Sequence, residues 1–309
     1  MRLLSDREEM KVVAAYIVVC IVWGSTYLGI RIGVSDFPPE LFSGIRNLVA
    51  GSVVLLYARL KGLEFPNSRI DIRRLATVGF FLLCGSMGLI SWAEQWVHSG
   101  VVSLIVASSP LMMALIEMII YRENVLDLKG WAGLLIGFGG VGILVMSASG
   151  TGSIDVLGSI LVVLAALCWA TGSVYSRRFK ASGSIVTHIG IQMLTGGIGL
   201  TTAGLLLGEA SRVRFTLKSM AAMAYLIVFG SILAYSCYIY VLRKWPSARA
   251  ATYAYINPLV AVSLGFMVLG EPITYYTIIS MVVILGGVIM VQASQVSRRE
   301  KEGVSGKHN

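Results

Sequence analysis

Apolar runs of about 20 residues recur along the chain, and they restrict its fold more than any other feature. A helix of that length is what crossing the ~30 Å hydrocarbon core of a bilayer requires. Ten runs can be delimited: Val12–Gly33, Pro39–Leu60, Leu75–Val97, Gly100–Tyr121, Gly130–Ser149, Val156–Tyr175, Ile185–Gly208, Met220–Leu242, Ala248–Leu269 and Ile273–Ala293. In lipid every backbone group must be bonded within the protein, so each run predicts a helix. A β-barrel would need alternating strands of about 10 residues, and that pattern does not occur. The expected fold class is all-α integral membrane, with ten transmembrane helices in the lipid bilayer.

Composition agrees. Hydrophobic residues make up 56% of the 309 and charged residues 13%, with a mean hydropathy of +0.79; a soluble domain carries about a quarter charged residues. The net charge of +9 invites a nucleic-acid partner, but Lys and Arg sit in short clusters between apolar runs rather than on one basic face, so no nucleic acid is expected. The clusters alternate instead. Arg2, Arg7 and Lys11 precede the first run. Arg59, Lys61, Arg69, Arg73 and Arg74 follow the second, Arg122 and Lys129 the fourth, and Arg177, Arg178 and Lys180 the sixth. Arg243, Lys244 and Arg249 follow the eighth, and Arg298, Arg299, Lys301 and Lys307 lie in the tail. The intervening loops hold almost none, apart from Arg212, Arg214 and Lys218. Positive loops remain on the cytoplasmic side, so both termini are expected there.

The first run follows basic residues, as a signal peptide would. Its length and the lack of a small-residue cleavage site favour a retained helix. Cys20, Cys84, Cys168 and Cys237 each stand alone in a different run, which gives neither a disulfide framework nor a zinc site.

The halves repeat. SLIVASSPLMMALIEMIIYREN (103–124) aligns without gaps on ATYAYINPLVAVSLGFMVLGEP (251–272), matching Pro110 to Pro258, Leu111 to Leu259 and Glu123 to Glu271. VWGSTYLGIR (22–31) echoes CWATGSVYSR (168–177) through Trp23/Trp169 and Arg31/Arg177. Each half holds five runs, an odd number, so the second must be inserted upside down. Two inverted five-helix repeats (5+5) are an architecture of secondary transporters, which bind solute near the midplane.

WGSTYLGIRIG, PPELFSGIRNLVAG, WAEQWVHSGVVSLIVASSPL and LGEPIT resemble the EamA-type transporters of the drug/metabolite transporter (DMT) superfamily, closest to its bacterial inner-membrane exporter branch. The resemblance spans nearly the whole chain as five-helix units at 13–147 and 157–292, followed by a cytoplasmic tail at 294–309. It implies a central cavity, location in the cytoplasmic membrane, and export or exchange of small metabolites, amino acids or drugs. One departure is YREN at 121–124, where family members commonly carry a Gly–Glu pair; Arg122 stands in the glycine position.

Polar residues within spans usually face the bundle interior or a water-filled cavity. Arg46 and Glu94 fall at similar depth in spans two and three, so they are expected to pair or jointly line the outer part of the cavity. There they could hold a zwitterionic solute, or Glu94 could carry a coupling proton. A static ion pair is the plainer alternative. Glu117, near a span end, is expected to snorkel to the interface, and Glu123 and Glu271 to cap turns. Span one places Tyr16, Cys20, Trp23, Tyr27 and Arg31 on one face, and span seven does the same with His188, Gln192, Thr195 and Gly199. Span eight offers Ser231, Tyr235 and Tyr238, and span nine offers Thr252, Tyr255 and Asn257. The cavity candidates are therefore Trp23, Tyr27, Arg46, Glu94, Gln192, Tyr235, Tyr255 and Asn257. Such an aromatic wall suits an amphipathic or aromatic solute. His98 and His188 lie in different spans and read as packing.

Pro110 and Pro258 occupy equivalent positions, and each removes a ladder bond, freeing the carbonyls of Val106 and Ala254. Both are hinge candidates. GLLIGFGGVG (133–142) and Gly286–Gly287 read as close-packing faces of spans five and ten, and a homodimer contact is one use for them.

The rival classes are an integral-membrane enzyme and a membrane sensor or regulatory subunit. No H-E-x-x-H, G-x-S-x-G or G-x-x-x-x-G-K-[ST] occurs, so neither catalysis, a metal or cofactor, nor ATP-driven transport by this chain is indicated. The expectation is a secondary-active exporter of a small-molecule substrate, working by alternating access, with proton coupling one source of drive.

Overall fold

The computed structural model describes residues 6–122, 127–151, 156–245 and 253–305. Within them every regular element is helical. The chain runs through α1 (Asp6–Val34), α2 (Pro39–Leu60), α3 (Arg69–Gly79) and α4 (Met87–Ala93). It continues through α5 (Ser99–Val106), α6 (Ser109–Ile119), α7 (Leu128–Thr151), α8 (Val156–Ser176) and α9 (Ile185–Leu206). The remaining helices are α10 (Leu217–Tyr225), α11 (Tyr235–Lys244), α12 (Tyr253–Leu264) and α13 (Tyr275–Ser305).

Seven helical stretches are long and apolar enough to cross a membrane: Glu8–Val34, Pro39–Leu60, Arg69–Ala93, Ser99–Ile119, Val156–Ser176, Ile185–Leu206 and Leu217–Tyr238. Shorter apolar stretches lie at Leu128–Ile143, Tyr253–Leu269 and Tyr275–Val291. Helices overrun the apolar runs where polar ends reach water. α1 begins at Asp6 and α13 continues to Ser305, so much of the expected tail is helical. Leu56, Leu135 and Leu206 are 60%, 76% and 84% exposed, on an outer surface that lipid would cover. Ser43, Asn47 and Ser91 are buried inside the bundle, where the Ser43 and Ser91 hydroxyls bond each other at 2.6 Å.

Two long helices are interrupted by π-helical turns, Phe80–Ser86 between α3 and α4 and Leu226–Ala234 between α10 and α11. The 148-residue offset that maps Pro110 onto Pro258 carries the first of these into the second. The extra residue of a π turn lengthens the i→i+4 ladder and re-aims carbonyls. A different break separates α5 from α6. α5 ends at Val106, and Pro110 lies in the first turn of α6, where its missing N–H costs nothing. The Val106 carbonyl is accordingly taken by the Ser109 hydroxyl at 2.6 Å. Pro258, by contrast, is inside α12.

Packing partners interchange across the chain. α2 packs on α9 and α7 on α13; α1 packs on α12 and α6 on α8; α8 meets the first π turn and α1 the second. Glycines set the closest approaches. A Cβ on Gly287 would lie 2.5 Å from the Gly137 nitrogen, and one on Gly44 2.7 Å from the Thr201 nitrogen. The α7–α13 contact thus uses Gly133, Gly137, Gly140 and Gly287 within one chain, whereas Gly139, Gly142 and Gly286 have open space beside them.

Candidate functional site

A cavity of about 800 Å³ lies among α1, α2, both π-interrupted helices, the α5–α6 break, α8, α9 and α12. Trp23, Tyr27, Arg46, Gln192, Tyr235 and Asn257 all line it, as does Pro110. At one end its wall includes the exposed Arg177 and Lys180; at the other it stops at buried Tyr27, Ile30 and Ile90. The cavity is therefore open at the Arg177–Lys180 end and closed at the opposite one.

Trp23 is the hub of the aromatic wall. Its ring centroid lies 4.8 Å from Tyr238, 5.1 Å from Tyr253, 5.9 Å from Trp169 and 6.4 Å from Tyr235. Tilted and edge-on ring pairs of this kind contribute about 0.5–1.5 kcal/mol each beyond area burial. The Trp23 indole N–H donates to the Gly230 carbonyl at 3.3 Å. Arg46, 5% exposed, donates from Nε to the Ser231 hydroxyl at 2.9 Å. The second π turn thus anchors indole and guanidinium through consecutive residues. Tyr235 donates to Gln192 Oε1 at 2.6 Å. The Asn257 amide nitrogen is within 3.0 Å of the Cys20 carbonyl and 3.2 Å of the Tyr253 carbonyl, tying α12 to α1.

Glu94, Tyr255 and Pro258 are not in the cavity wall. Glu94 is fully buried at the end of α4, and neither of its carboxyl oxygens has a hydrogen-bond partner. Its main-chain carbonyl accepts from Arg31 Nη1. Arg46 bonds Ser231 and forms no ion pair with Glu94, although the two are near enough to interact through space. The Tyr255 hydroxyl is likewise buried without a partner. Glu117 does not snorkel. It is 5% exposed and ion-paired with Arg177, because α8 ends beside α6 and brings Arg177 within reach. Glu123 and Thr252 lie outside the described residues.

The closed end is held by polar contacts between segments remote in sequence. Glu271 accepts from the Ser99 amide at 3.0 Å, the Ser99 hydroxyl at 2.9 Å and the Gly100 amide at 3.3 Å. These donors are the orphan groups of the α5 N-terminus, where a carboxylate also meets the positive end of the helix dipole. Glu209 does the same for the Leu41 amide of α2 at 2.9 Å.

Sequence reasoning missed Trp169, Tyr253 and Thr26 as wall residues, while Tyr238, offered with Tyr235 in the span-eight stripe, does line the cavity. The Trp23/Trp169 match was a usable signal, since the two indoles meet edge to face. The part played by Ser231 in holding Arg46 had no signal, because it depends on the register of a π turn.

The model of the EamA-like transporter family matches twice, at residues 10–146 and 156–292. The chain belongs to this family. It is a multi-pass protein of the cytoplasmic membrane and a membrane transporter. It is 34% identical over 287 residues to the inner membrane transporter YedA of Escherichia coli (strain K12), covering 92% of each chain. It is 24% identical over 284 residues to the transporter YvbV of Bacillus subtilis (strain 168), covering 90% of each. A solved protein structure at 19% identity superposes with a TM-score of 0.63 over 93% of this chain and 98% of the other, which establishes a shared fold.

Proposed function

We propose that the chain is a secondary-active exporter of small metabolites, amino acids or drugs, working by alternating access around the central cavity. The observation that carries this reading is a cavity open at one end and sealed at the other by contacts between distant segments. Ten spanning helices, arranged as inverted five-helix units at about 13–147 and 157–292, would give such a cavity two interchangeable gates. Support comes from the double family match, from the interchange of packing partners and from the two π turns at one offset. With the arginine-rich loops and both termini in the cytoplasm, the open end faces inward.

In this reading Trp23, Tyr27, Arg46, Gln192, Tyr235 and Asn257 contact the solute, and the helix break before Pro110 and the mid-helix Pro258 are the hinges. Glu94, buried and unpartnered, is the group through which a proton would be coupled to export. Purified protein in liposomes tests the proposal. Trapped solute should leave without ATP, and a pH gradient should change the rate in the parent but not in Glu94→Gln. ATP-dependent flux, or no flux of any solute from a metabolite and drug panel, would refute it.

A further inference from the structure

We infer that the solute is an organic oxyanion with an aromatic or other bulky apolar body, its anionic group bound by Arg46 and its body held against Trp23. This rests on the transporter reading above and names the chemistry of that cavity.

The charged groups in the wall decide the sign. Arg46 is nine-tenths buried, lines the cavity, and makes one hydrogen bond, from Nε to Ser231. Among the described residues, its Nη1 and Nη2 donors, the fork that suits a carboxylate or sulfonate, have no hydrogen-bond partner, and no carboxylate lies within ion-pair distance of them. Glu94 is near enough to act on Arg46 through space but bonds neither free guanidinium nitrogen, so these buried donors are left for an anionic ligand. The acid in the wall among the described residues, Glu117, is already paired with Arg177. Glu94, the other candidate, is outside the wall. With Glu117 and Arg177 paired, a solute entering there meets Lys180 and then Arg46 as the uncompensated charges of the wall among the described residues, which draws anions inward and disfavours both a cation and the ammonium of a zwitterion.

The apolar end follows from position. Trp23 is bonded to Gly230 and Arg46 to Ser231, so the indole and the guanidinium flank one site. A Cβ on Gly230 would sit 2.9 Å from Thr26 Cγ2 and 3.3 Å from Arg46 Nη2, so the absent side chain there lets the guanidinium lie against the helix. Aromatic faces also attract cations, but here a fixed positive charge lies beside them.

Three probes sharing one phenyl ring test this: benzenesulfonate, phenylalanine and phenyltrimethylammonium. They are respectively an anion, a zwitterion and a cation at pH 7. Binding to the full chain in nanodiscs is followed by calorimetry, and flux is followed in liposomes. Benzenesulfonate should bind saturably and more tightly than the other two. Its affinity should fall about tenfold or more in Arg46→Gln and recover in part in Arg46→Lys, as a charge-assisted bond requires. Gly139→Ala, in α7 with open space beside it, controls for handling. Preferential binding of phenyltrimethylammonium or phenylalanine, no saturable benzenesulfonate binding, or unchanged affinity in a monodisperse Arg46→Gln would overturn the inference. If cations or zwitterions are moved without ATP, the anion assignment fails and the transporter reading stands. If nothing is moved, the reading beneath it fails.

Discussion

Glu271 caps a helix that begins 172 residues before it. Its two carboxyl oxygens take the Ser99 amide and hydroxyl at 3.0 and 2.9 Å and the Gly100 amide at 3.3 Å, while Gly265 leaves no room for a side chain, with its Cβ position only 2.9 Å from the Ser99 hydroxyl. The clasp joins the segment after α12 to the start of α5, at the closed end of the cavity.

Glu271→Ala strands two buried amides and a hydroxyl. Leaving buried donors unsatisfied costs about 1–3 kcal/mol. Part of this is recovered if water enters, and that entry is the expected opening of the closed end. Hydrogen exchange of the Ser99–Val102 amides should accelerate at least about tenfold, with α2 and α9 unchanged. Uniform acceleration across all helices would indicate global loosening and contradict a local clasp.

Arg122 holds φ +54° and Gly270 φ +65°, and the repeat offset maps one onto the other. A left-handed conformation is free for glycine but costs other residues about 1–2 kcal/mol. Part of that is offset by the greater unfolded-chain freedom of glycine. Arg122→Gly should therefore raise stability by about 0.5–1 kcal/mol, read as a higher midpoint of thermal unfolding. A lower midpoint would mean that the Arg122 side chain makes a compensating contact.

Gly287 and Gly139 form a matched pair for substitution. A Cβ at Gly287 would meet backbone atoms of Gly137 at 2.5 Å, whereas nothing lies within 4 Å of one at Gly139. Gly287→Ala should force α13 from α7 at a cost of about 1–3 kcal/mol. Gly139→Ala should be neutral or slightly stabilising, since alanine is the better helix former. Thermal unfolding in one detergent orders the two, and equal midpoints would contradict the packing.

The helices were legible because a bilayer demands a fixed apolar length, and the exceptions are informative. The turn at Ala107–Ser108, which puts Pro110 at a helix start, follows from hydroxyl bonds to local carbonyls by Ser108 and Ser109. Such bonds are short-range, yet no periodicity marks them. Of the cavity candidates, Trp23, Tyr27 and Arg46 were readable because mid-span polar and aromatic residues turn inward in lipid. Glu94 obeys the same rule by being buried, but burial did not mean lining: at the end of α4 it is not among the residues of the cavity wall. Depth along a helix is set by sequence, whereas direction around it also depends on the π turn one segment earlier. Glu271 was expected to cap a turn. It does cap, but on a helix that no local pattern identifies.

The central claim is that one cavity is reached from alternate sides, with the Glu271 clasp as the closed gate. A single cysteine at Tyr27, the buried floor of the cavity, tests it most directly. Cys20, Cys84, Cys168 and Cys237 are first replaced by serine or alanine. An impermeant maleimide should then label Tyr27→Cys readily from the cytoplasmic side of oriented vesicles and slowly from the outside. Adding Glu271→Ala should raise outside labelling severalfold and lower labelling from the cytoplasm. Labelling confined to one side in both proteins, or equally fast from both sides without the second substitution, would contradict the account.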